Sequence, residues 1–205
     1  MTEHFVRYWY LYLILFIMIV LTVFVGKKAL AASSKRRKEL DDMMAKAKSA
    51  KELREAYGNL TQQIIDNAPA ASLFEGTALN LEYACQKTDD TNGFYEAMTD
   101  GEKKIYALFY LLTDAKDSAL STFFKSSYRL LTSDAVEAAK EILDSRACAV
   151  IEAMFNCYDE NNEEASVIPQ EIDRLDKEFD EIAKATDLFA ASGEYIKKNA
   201  GQFLK

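Results

Sequence analysis

Residues 99–112 read TDGEKKIYALFYLL, and this stretch is the main evidence for the fold class. Thr99 and Glu102 have the spacing of a capping box, in which each side chain accepts a hydrogen bond from the backbone N–H of the other residue at the start of a helix. The apolar residues behind the box recur at helical spacing and include Ile105, Leu108, Phe109, Leu111 and Leu112. Their density predicts a helix buried at the centre of a helical domain.

Helical patterns continue on both sides of this stretch. They cover residues 60–67, 72–87, 117–131, 133–143, 146–158, 169–182 and 187–199, with Thr132 or Ser133 capping the helix that runs to 143 and a loop over residues 88–93. Two prolines and seven glycines in 205 residues are too few for the turns of an all-β protein. We therefore predict an all-α bundle of seven or eight helices over residues 59–205.

An uncharged apolar run lies near the amino terminus. Residues 8–25 read YWYLYLILFIMIVLTVFV, which as a helix extends about 27 Å, close to the hydrocarbon thickness of a bilayer. The run predicts a single transmembrane helix. A cleaved signal peptide is the alternative, since residues 29–31 (ALA) resemble a cleavage site, but Lys27 and Lys28 lie between this site and the run.

Basic residues near the ends of the run predict its orientation. Six lysines and arginines follow it within 13 residues, against Arg7 on the other side. The short tail, residues 1–7, is therefore expected outside the cell membrane and the domain in the cytoplasm. Residues 26–58 are predicted as a basic juxtamembrane segment and helical stalk. Its basic cluster either contacts anionic lipid headgroups or acts as a topology signal alone, and consists of Lys35, Arg36, Arg37 and Lys38.

The charge of the chain is divided between its two parts. Residues 1–38 hold seven Lys/Arg and one acid, a net charge of +6, whereas residues 39–205 hold 18 Lys/Arg and 32 Asp/Glu, a net charge of −14. A domain this acidic repels nucleic-acid phosphates, which excludes direct nucleic-acid binding as a favoured function.

The residues of the common catalytic sites are missing. The single histidine, His4, precedes the apolar run, and neither GxxxxGK[ST] nor GxGxxG occurs. Cys85, Cys148 and Cys157 form no CxxC pair and are expected to be reduced, mostly buried thiols, with a disulfide between Cys148 and Cys157 as the alternative if the fold brings them close. The sequence thus predicts no enzyme, no cofactor and no metal site, although a metal-dependent enzyme that uses carboxylates alone stays open.

Carboxylates cluster in two neighbouring stretches, residues 159–164 and 173–181. A basic protein would bind such a surface with a salt-dependent rate, because exposed charges steer the encounter. A solvated surface that only confers solubility is the alternative. The candidate partner-binding face consists of Glu160, Glu163, Glu164, Asp173 and Asp180.

Six stretches of helix-core residues follow one another along the domain and end before Phe203. They are residues 94–98 (FYEAM), 102–112, 120–127 (LSTFFKSS), 135–142, 175–179 (LDKEF) and 195–199 (YIKKN). These stretches, over about half of the chain, resemble the bacterial family of DNA-mimic protein nineteen. The resemblance implies an acidic all-helical domain, often dimeric, whose surface can occupy the site of a DNA-binding protein. Two features depart from the family. Residues 117–120 (DSAL) replace an Asn-Gly-Gly-Phe turn, and the apolar run is unusual. Phe123 and Phe124 are expected in the core.

Together these observations predict a single-pass membrane protein whose acidic helical domain binds a protein partner, such as a basic or DNA-binding protein. Membrane lipid is the second expected partner, and the resemblance implies a homodimer. A structural component of a membrane assembly, with the stalk as its oligomerisation element, is the alternative function.

Overall fold

The computed structural model describes residues 16, 18, 36–38, 40–125, 131–158 and 168–204. Within these residues the regular elements are all helical and no strand occurs, which confirms the predicted all-α class. The predicted transmembrane helix over residues 8–25 lies outside the described residues, apart from Phe16 and Met18. None of the helices that the structure does describe combines the length and the apolarity of a membrane span.

The chain divides into two compact units, residues 1–49 and residues 50–205. In the first unit, residues 36–38 and 40–49 are helical, as predicted for the stalk. Three large apolar side chains of this segment are more than half exposed: Leu40, Met43 and Met44.

The second unit begins with a helical segment over residues 50–56, and nine α-helices and one 3-10 helix follow in its described part. The helices are α1 (Gln62–Asn67), α2 (Ala70–Gln86), α3 (Thr91–Ala97), α4 (Asp100–Asp117), α5 (Leu120–Lys125), α6 (Thr132–Ile142), α7 (Ser145–Tyr158), α8 (Pro169–Ala185), α9 (Leu188–Lys198) and the 3-10 helix η1 (Ala200–Gln202).

Helix α4 is the central helix, as the sequence predicts. Its capping box is present, because the Thr99 hydroxyl accepts from the Glu102 N–H at 3.1 Å and the Glu102 carboxylate accepts from the Thr99 N–H at 3.0 Å. Residues 104–112 are all buried, and α4 packs against α2, α5, α6 and α9. The two phenylalanines of α5, Phe123 and Phe124, are buried in the same core, which confirms that expectation.

The predicted helix start at residue 117 is wrong. Helix α4 continues to Asp117, and the connection to α5 is Ser118–Ala119, within the stretch that replaces the family's glycine-rich turn. Helix α5 begins where the Asp176 carboxylate of α8 accepts hydrogen bonds from the backbone N–H and the hydroxyl of Ser121, both at 2.8 Å. A partner 55 residues away sets this boundary, so the local pattern does not contain it.

Two other predicted boundaries are also corrected. Helix α3 begins at Thr91, inside the predicted loop over residues 88–93, because the Asp90 carboxylate accepts from the Gly93 N–H at 2.9 Å and caps the helix. Neither Thr132 nor Ser133 caps α6. Leu131 holds the cap position there without a side-chain hydrogen bond, and Thr132 is the first helical residue.

Helices α2 and α9 close the domain by crossing at Gly193. A Cβ atom at this position would overlap the Ala70 carbonyl group, so only glycine permits this approach. The segment after α9 then returns to the start of α4. The backbone carbonyl of Gln202 accepts from the Thr99 hydroxyl at 3.0 Å, and the side-chain oxygen of Gln202 accepts from the Gly101 N–H at 2.6 Å. This closure positions the first turn of α4.

Candidate protein-binding surface

Four carboxylates form a continuous patch along α6 and the start of α4. Asp134, Glu137 and Glu141 have the spacing i, i+3 and i+7, which places them along one side of α6. The other side of α6 is made of small apolar residues and is buried. We call Asp134, Glu137, Glu141 and Asp100 the α6 ridge.

Lys104 joins the two helices of the ridge. Its ammonium group donates to Asp100 and to Glu141, each at 2.6 Å. The lysine side chain is only 11% exposed, against 70% for Asp100 and 48% for Glu141. These hydrogen bonds, first to Asp100 and then to Glu141, raise the pKa of Lys104 above its ordinary value although burial opposes the shift. One lysine therefore holds two carboxylates in place and leaves one negative charge uncompensated.

A tyrosine holds the other end of the ridge. The Tyr95 hydroxyl of α3 donates a hydrogen bond to the Asp134 carboxylate. Burial of the tyrosine, and next this hydrogen bond, raise the pKa of Tyr95 above its ordinary value. Tyr95 is thus a neutral donor that fixes Asp134 without cancelling its charge.

The centre of the ridge forms no ion pair within the described residues. Glu137 is exposed and makes neither a hydrogen bond nor a salt bridge there. The nearest lysine along α6, Lys140, pairs with Glu152 of α7 at 2.6 Å, and the pKa of Lys140 is raised first by this partner and only last by the charge of Glu137. The ridge thus combines four carboxylates with one lysine, for a net charge of −3.

The outward face of α8 contains Asp173 and Asp180 of the predicted acidic face. Both are exposed, but Asp180 pairs with Lys184, and Lys177 lies one turn from each aspartate. Arg174 reaches Glu171 at 2.6 Å and Glu178 at 2.8 Å. The exposed and half-exposed charged residues of this face are Glu171, Asp173, Arg174, Lys177, Glu178, Asp180, Glu181 and Lys184, a net charge of −2 from five acids and three bases.

The remaining predicted site residues lie mostly outside the described residues. Glu160, Glu163 and Glu164 belong to this group, as does Lys35. Arg36, Arg37 and Lys38 are described, helical and exposed. The structure therefore brings Asp173 and Asp180 together on α8, and the other part of the predicted face stays a prediction.

The α6 ridge was missed by the sequence reasoning, although part of its signal is local. The spacing of Asp134, Glu137 and Glu141 is visible in the sequence. Asp100 and the bridging Lys104 come from another helix, so only the packing of α4 on α6 reveals them.

The part of the chain that the structure describes contains no group of three or more His, Cys, Asp or Glu side chains that could hold a metal ion. The three cysteines are free and half-buried, and burial raises the pKa of Cys148 and of Cys157. A raised thiol pKa opposes formation of the reactive thiolate. Burial therefore favours the thiol form of Cys148 and Cys157 over the thiolate.

Comparison with known proteins gives one match. The family model described as "DMP19-like protein" matches residues 96–199. This range extends from the end of α3 to the end of α9 and includes both the α6 ridge and α8. No curated protein and no solved structure matches the chain.

Proposed function

This chain belongs to the DMP19-like protein family, and from that premise we propose that its domain is a non-enzymatic module that binds a basic, DNA-binding protein through the α6 ridge. The match confirms the resemblance to DNA-mimic protein nineteen that the helix-core residues indicate. The partner, the binding surface and the absence of catalysis are the proposal.

The observation that carries the proposal is the uncompensated and fixed charge of the α6 ridge. Asp134 is held by Tyr95, and Asp100 and Glu141 are held by Lys104. Carboxylates that are already ordered lose little side-chain entropy when a partner binds. Their field also attracts a positively charged surface before contact.

The spacing of the ridge suits a protein that binds DNA phosphates. Asp134 and Glu141 are seven residues apart, about 10.5 Å along the axis of α6, with Glu137 between them. One strand of B-DNA carries about three phosphates over the same length. Lysines and arginines arranged for a phosphate backbone therefore find charges of similar density on α6.

The proposal places this domain at the cytoplasmic face of the cell membrane. The apolar run over residues 8–25 is the anchor, with residues 1–7 outside, and the exposed Arg36, Arg37 and Lys38 contact anionic lipid headgroups. A reporter enzyme that is active only in the cytoplasm, fused after Lys205, tests the orientation. Activity supports it, and an extracytoplasmic signal contradicts it.

The experiment for the ridge uses the full-length chain as bait in an extract of its own cells. The variant D100N/D134N/E137Q/E141Q neutralises the four carboxylates of the ridge, and D173N/E178Q/E181Q, which removes three carboxylates from α8, is the comparison variant. We expect wild type and the α8 variant to capture the same basic protein, and duplex DNA and raised salt to release it. Capture that is indifferent to DNA and equal for the ridge variant would contradict the proposal.

A second candidate is the structural role in a membrane assembly. Leu40, Met43 and Met44 are exposed by 55%, 67% and 56%, and their spacing of i, i+3 and i+4 places them on one side of the stalk. Such a stripe favours self-association of the stalk. Cross-linking in membranes tests it, with cysteines introduced at position 43 expected to join two copies. A monomer in that assay removes the candidate.

A further inference from the structure

A cleft of about 430 Å³ lies at the opposite end of α4 from the ridge, between the last turns of α4, the connection to α5, α8 and the start of α9. Asp100 of the ridge and Lys116 of the cleft are 16 residues apart on α4, about 24 Å along its axis. The cleft is therefore separate from the α6 ridge. Its volume lies in the range of about 300–1,000 Å³ that is typical of small-molecule sites.

The floor of the cleft is apolar. Leu112, Leu120, Phe179 and Leu188 line it, and each of them is buried. The ring of Phe189, which is half-buried, belongs to the wall. Small-molecule sites combine such apolar walls with a few polar groups that orient the ligand. The cleft therefore suits a ligand with an apolar body.

Two lysines of the cleft form no ion pair within the described residues. The Lys116 ammonium group lies 4.9 Å from the centroid of the Phe189 ring and forms no salt bridge there. Lys177 is exposed and makes neither a hydrogen bond nor a salt bridge in the same part of the chain. Carboxylates are abundant in this domain, which has 32 Asp/Glu over residues 39–205. Two lysines that face one cleft without a carboxylate therefore favour an anionic ligand.

The two carboxylates of the cleft are already engaged. Both oxygens of Asp176 accept from Ser121 at 2.8 Å, and Asp180 pairs with Lys184. Lys184 also lines the cleft, so its three lysines and two aspartates give a net charge of +1. A monoanion balances this charge, whereas a phosphate monoester, with a charge of about −1.5 to −2 at pH 7, exceeds it. The charge of the cleft therefore favours a carboxylate.

We propose that this cleft binds a small-molecule carboxylate with an apolar body, of the aryl-alkanoate or short fatty-acid class. The carboxylate accepts hydrogen bonds from Lys116 and Lys177, and the apolar body lies against Phe179 and Phe189. Lysine suits this role, because its ammonium group is a compact charge on a flexible apolar stem that lies along the wall. The inference goes beyond the proposed function, since no residue that lines the cleft belongs to the α6 ridge.

The test uses the full-length chain in nanodiscs of zwitterionic lipid, with ¹³C-labelled alanine methyl groups. Ala115, Ala119 and Ala183 line the cleft, so their methyl resonances report its occupancy. The probe is 4-phenylbutanoate. Its matched controls are 4-phenylbutan-1-ol, which lacks the charge, and butanoate, which lacks the ring. We expect saturable shifts of the three resonances with 4-phenylbutanoate only, and weaker binding of this probe at raised salt.

Single substitutions separate binding from folding. K116Q and K177Q should each weaken the probe by about fivefold, because a charged hydrogen-bond donor is lost. Neither lysine forms a salt bridge in the described structure, so both variants should fold as stably as wild type. A183F introduces a ring into the cleft from an exposed position on α8 and should abolish binding. K198Q removes an exposed lysine of α9 that does not line the cleft, and this control should leave the affinity unchanged.

Equal shifts with 4-phenylbutan-1-ol, or no saturable shift with 4-phenylbutanoate, would overturn the assignment of the cleft. Unchanged affinity in the double variant K116Q/K177Q, or an equal loss in K198Q, would overturn it as well, because the two lysines would then have no specific role. Unimpaired binding by A183F would place the probe outside the cleft, with the same consequence. None of these outcomes depends on the partner of the ridge, since the purified chain and the probe are the only components.

Discussion

Arg174 of α8 pairs with Glu171 and Glu178 on its own helix, whereas the lysine that pairs with the α6 ridge, Lys104, comes from α4. The two surfaces are made of the same residue types. On α8 the pairs follow the i, i+3 and i, i+4 spacings, so each cation lies on the same helix as its carboxylates. On α6 the carboxylates are held by a buried lysine and by a tyrosine from other helices.

A count of acidic residues therefore does not locate a binding surface. Five acids on the α8 face leave a net charge of −2, while four acids on the ridge leave −3. Pairs within a helix contribute little beyond solubility. Carboxylates that are fixed by another element and keep their charge are better suited to receive a partner.

The largest expected effect is on partner affinity. D100N/D134N/E137Q/E141Q should weaken the captured basic protein by about a hundredfold, because the uncompensated charge is removed, while D173N/E178Q/E181Q should change its affinity by less than about threefold. Association rates measured at several salt concentrations check this, and the wild-type rate should fall with salt. The reverse ranking would move the site to α8 and to the acidic stretch over residues 159–164.

The second effect is on stability. Lys104→Met should lower the free energy of unfolding by about 2 kcal/mol, because Asp100 and Glu141 lose the ammonium group to which both are bonded. Lys184→Met, the matched change of an exposed pair on α8, should cost about 0.5 kcal/mol or less. Urea unfolding of both variants gives the comparison. Equal costs would show that the bridge on α6 is no different from a surface ion pair.

The same lysine predicts a dependence on pH. The pKa of Lys104 is raised above its ordinary value of 10.5 in the folded chain. The contribution of Lys104 to stability is therefore fully present below pH 10.5 and is lost as the pH rises through the higher pKa of the folded chain. The difference in unfolding free energy between wild type and Lys104→Met should therefore narrow as the pH rises above 10.5. A difference that stays constant over this range would contradict the proposed contribution of the Lys104 ammonium group.

Asp114, near the end of α4, is a third kind of carboxylate in this domain. One of its oxygens is buried and makes no hydrogen bond within the described residues, and burial, with the charge of Asp117 as a smaller cause, raises the pKa of Asp114. Asp114→Asn should therefore stabilise the domain by about 1 kcal/mol at pH 7. As the pH falls through the raised pKa towards 3.8, wild type becomes protonated and the gain should disappear. Asp173→Asn on α8 is the exposed control.

The smallest expected effect is on the stability of Glu137→Gln. This side chain makes no hydrogen bond or salt bridge in the described structure, so its neutralisation should change the free energy of unfolding by less than about 0.5 kcal/mol. A measurable loss of partner affinity at unchanged stability would place Glu137 at the binding surface. A stability loss above 1 kcal/mol would instead indicate a structural role.

Local signals predicted the fold class and most helices. The capping box of Thr99 and Glu102, Pro169 at the first turn of α8 and the buried phenylalanines of α5 were all readable from neighbouring residues. The break after Asp117 was not, because Asp176 of α8 sets the start of α5. Helix α3 was missed since Asp90, Asn92 and Gly93 resemble a loop until Asp90 is recognised as a cap.

The candidate sites were less predictable than the fold. The three acids of α6 are visible in the sequence at helical spacing. The ion pair that Lys104 forms with Glu141 is not, because it depends on how α4 packs on α6.

The contacts of Gly193 and Gln202 bear on how the domain folds during synthesis. Gly193 permits α9 to reach α2, and Gln202 completes the first turn of α4, where the ridge begins. Synthesis proceeds from the amino terminus, so these contacts form only after the codon for Gln202 has been translated. A chain that is cut short before Gln202 by a premature stop lacks them. The first turn of α4, although it lies near the middle of the sequence, is therefore completed about 100 residues later.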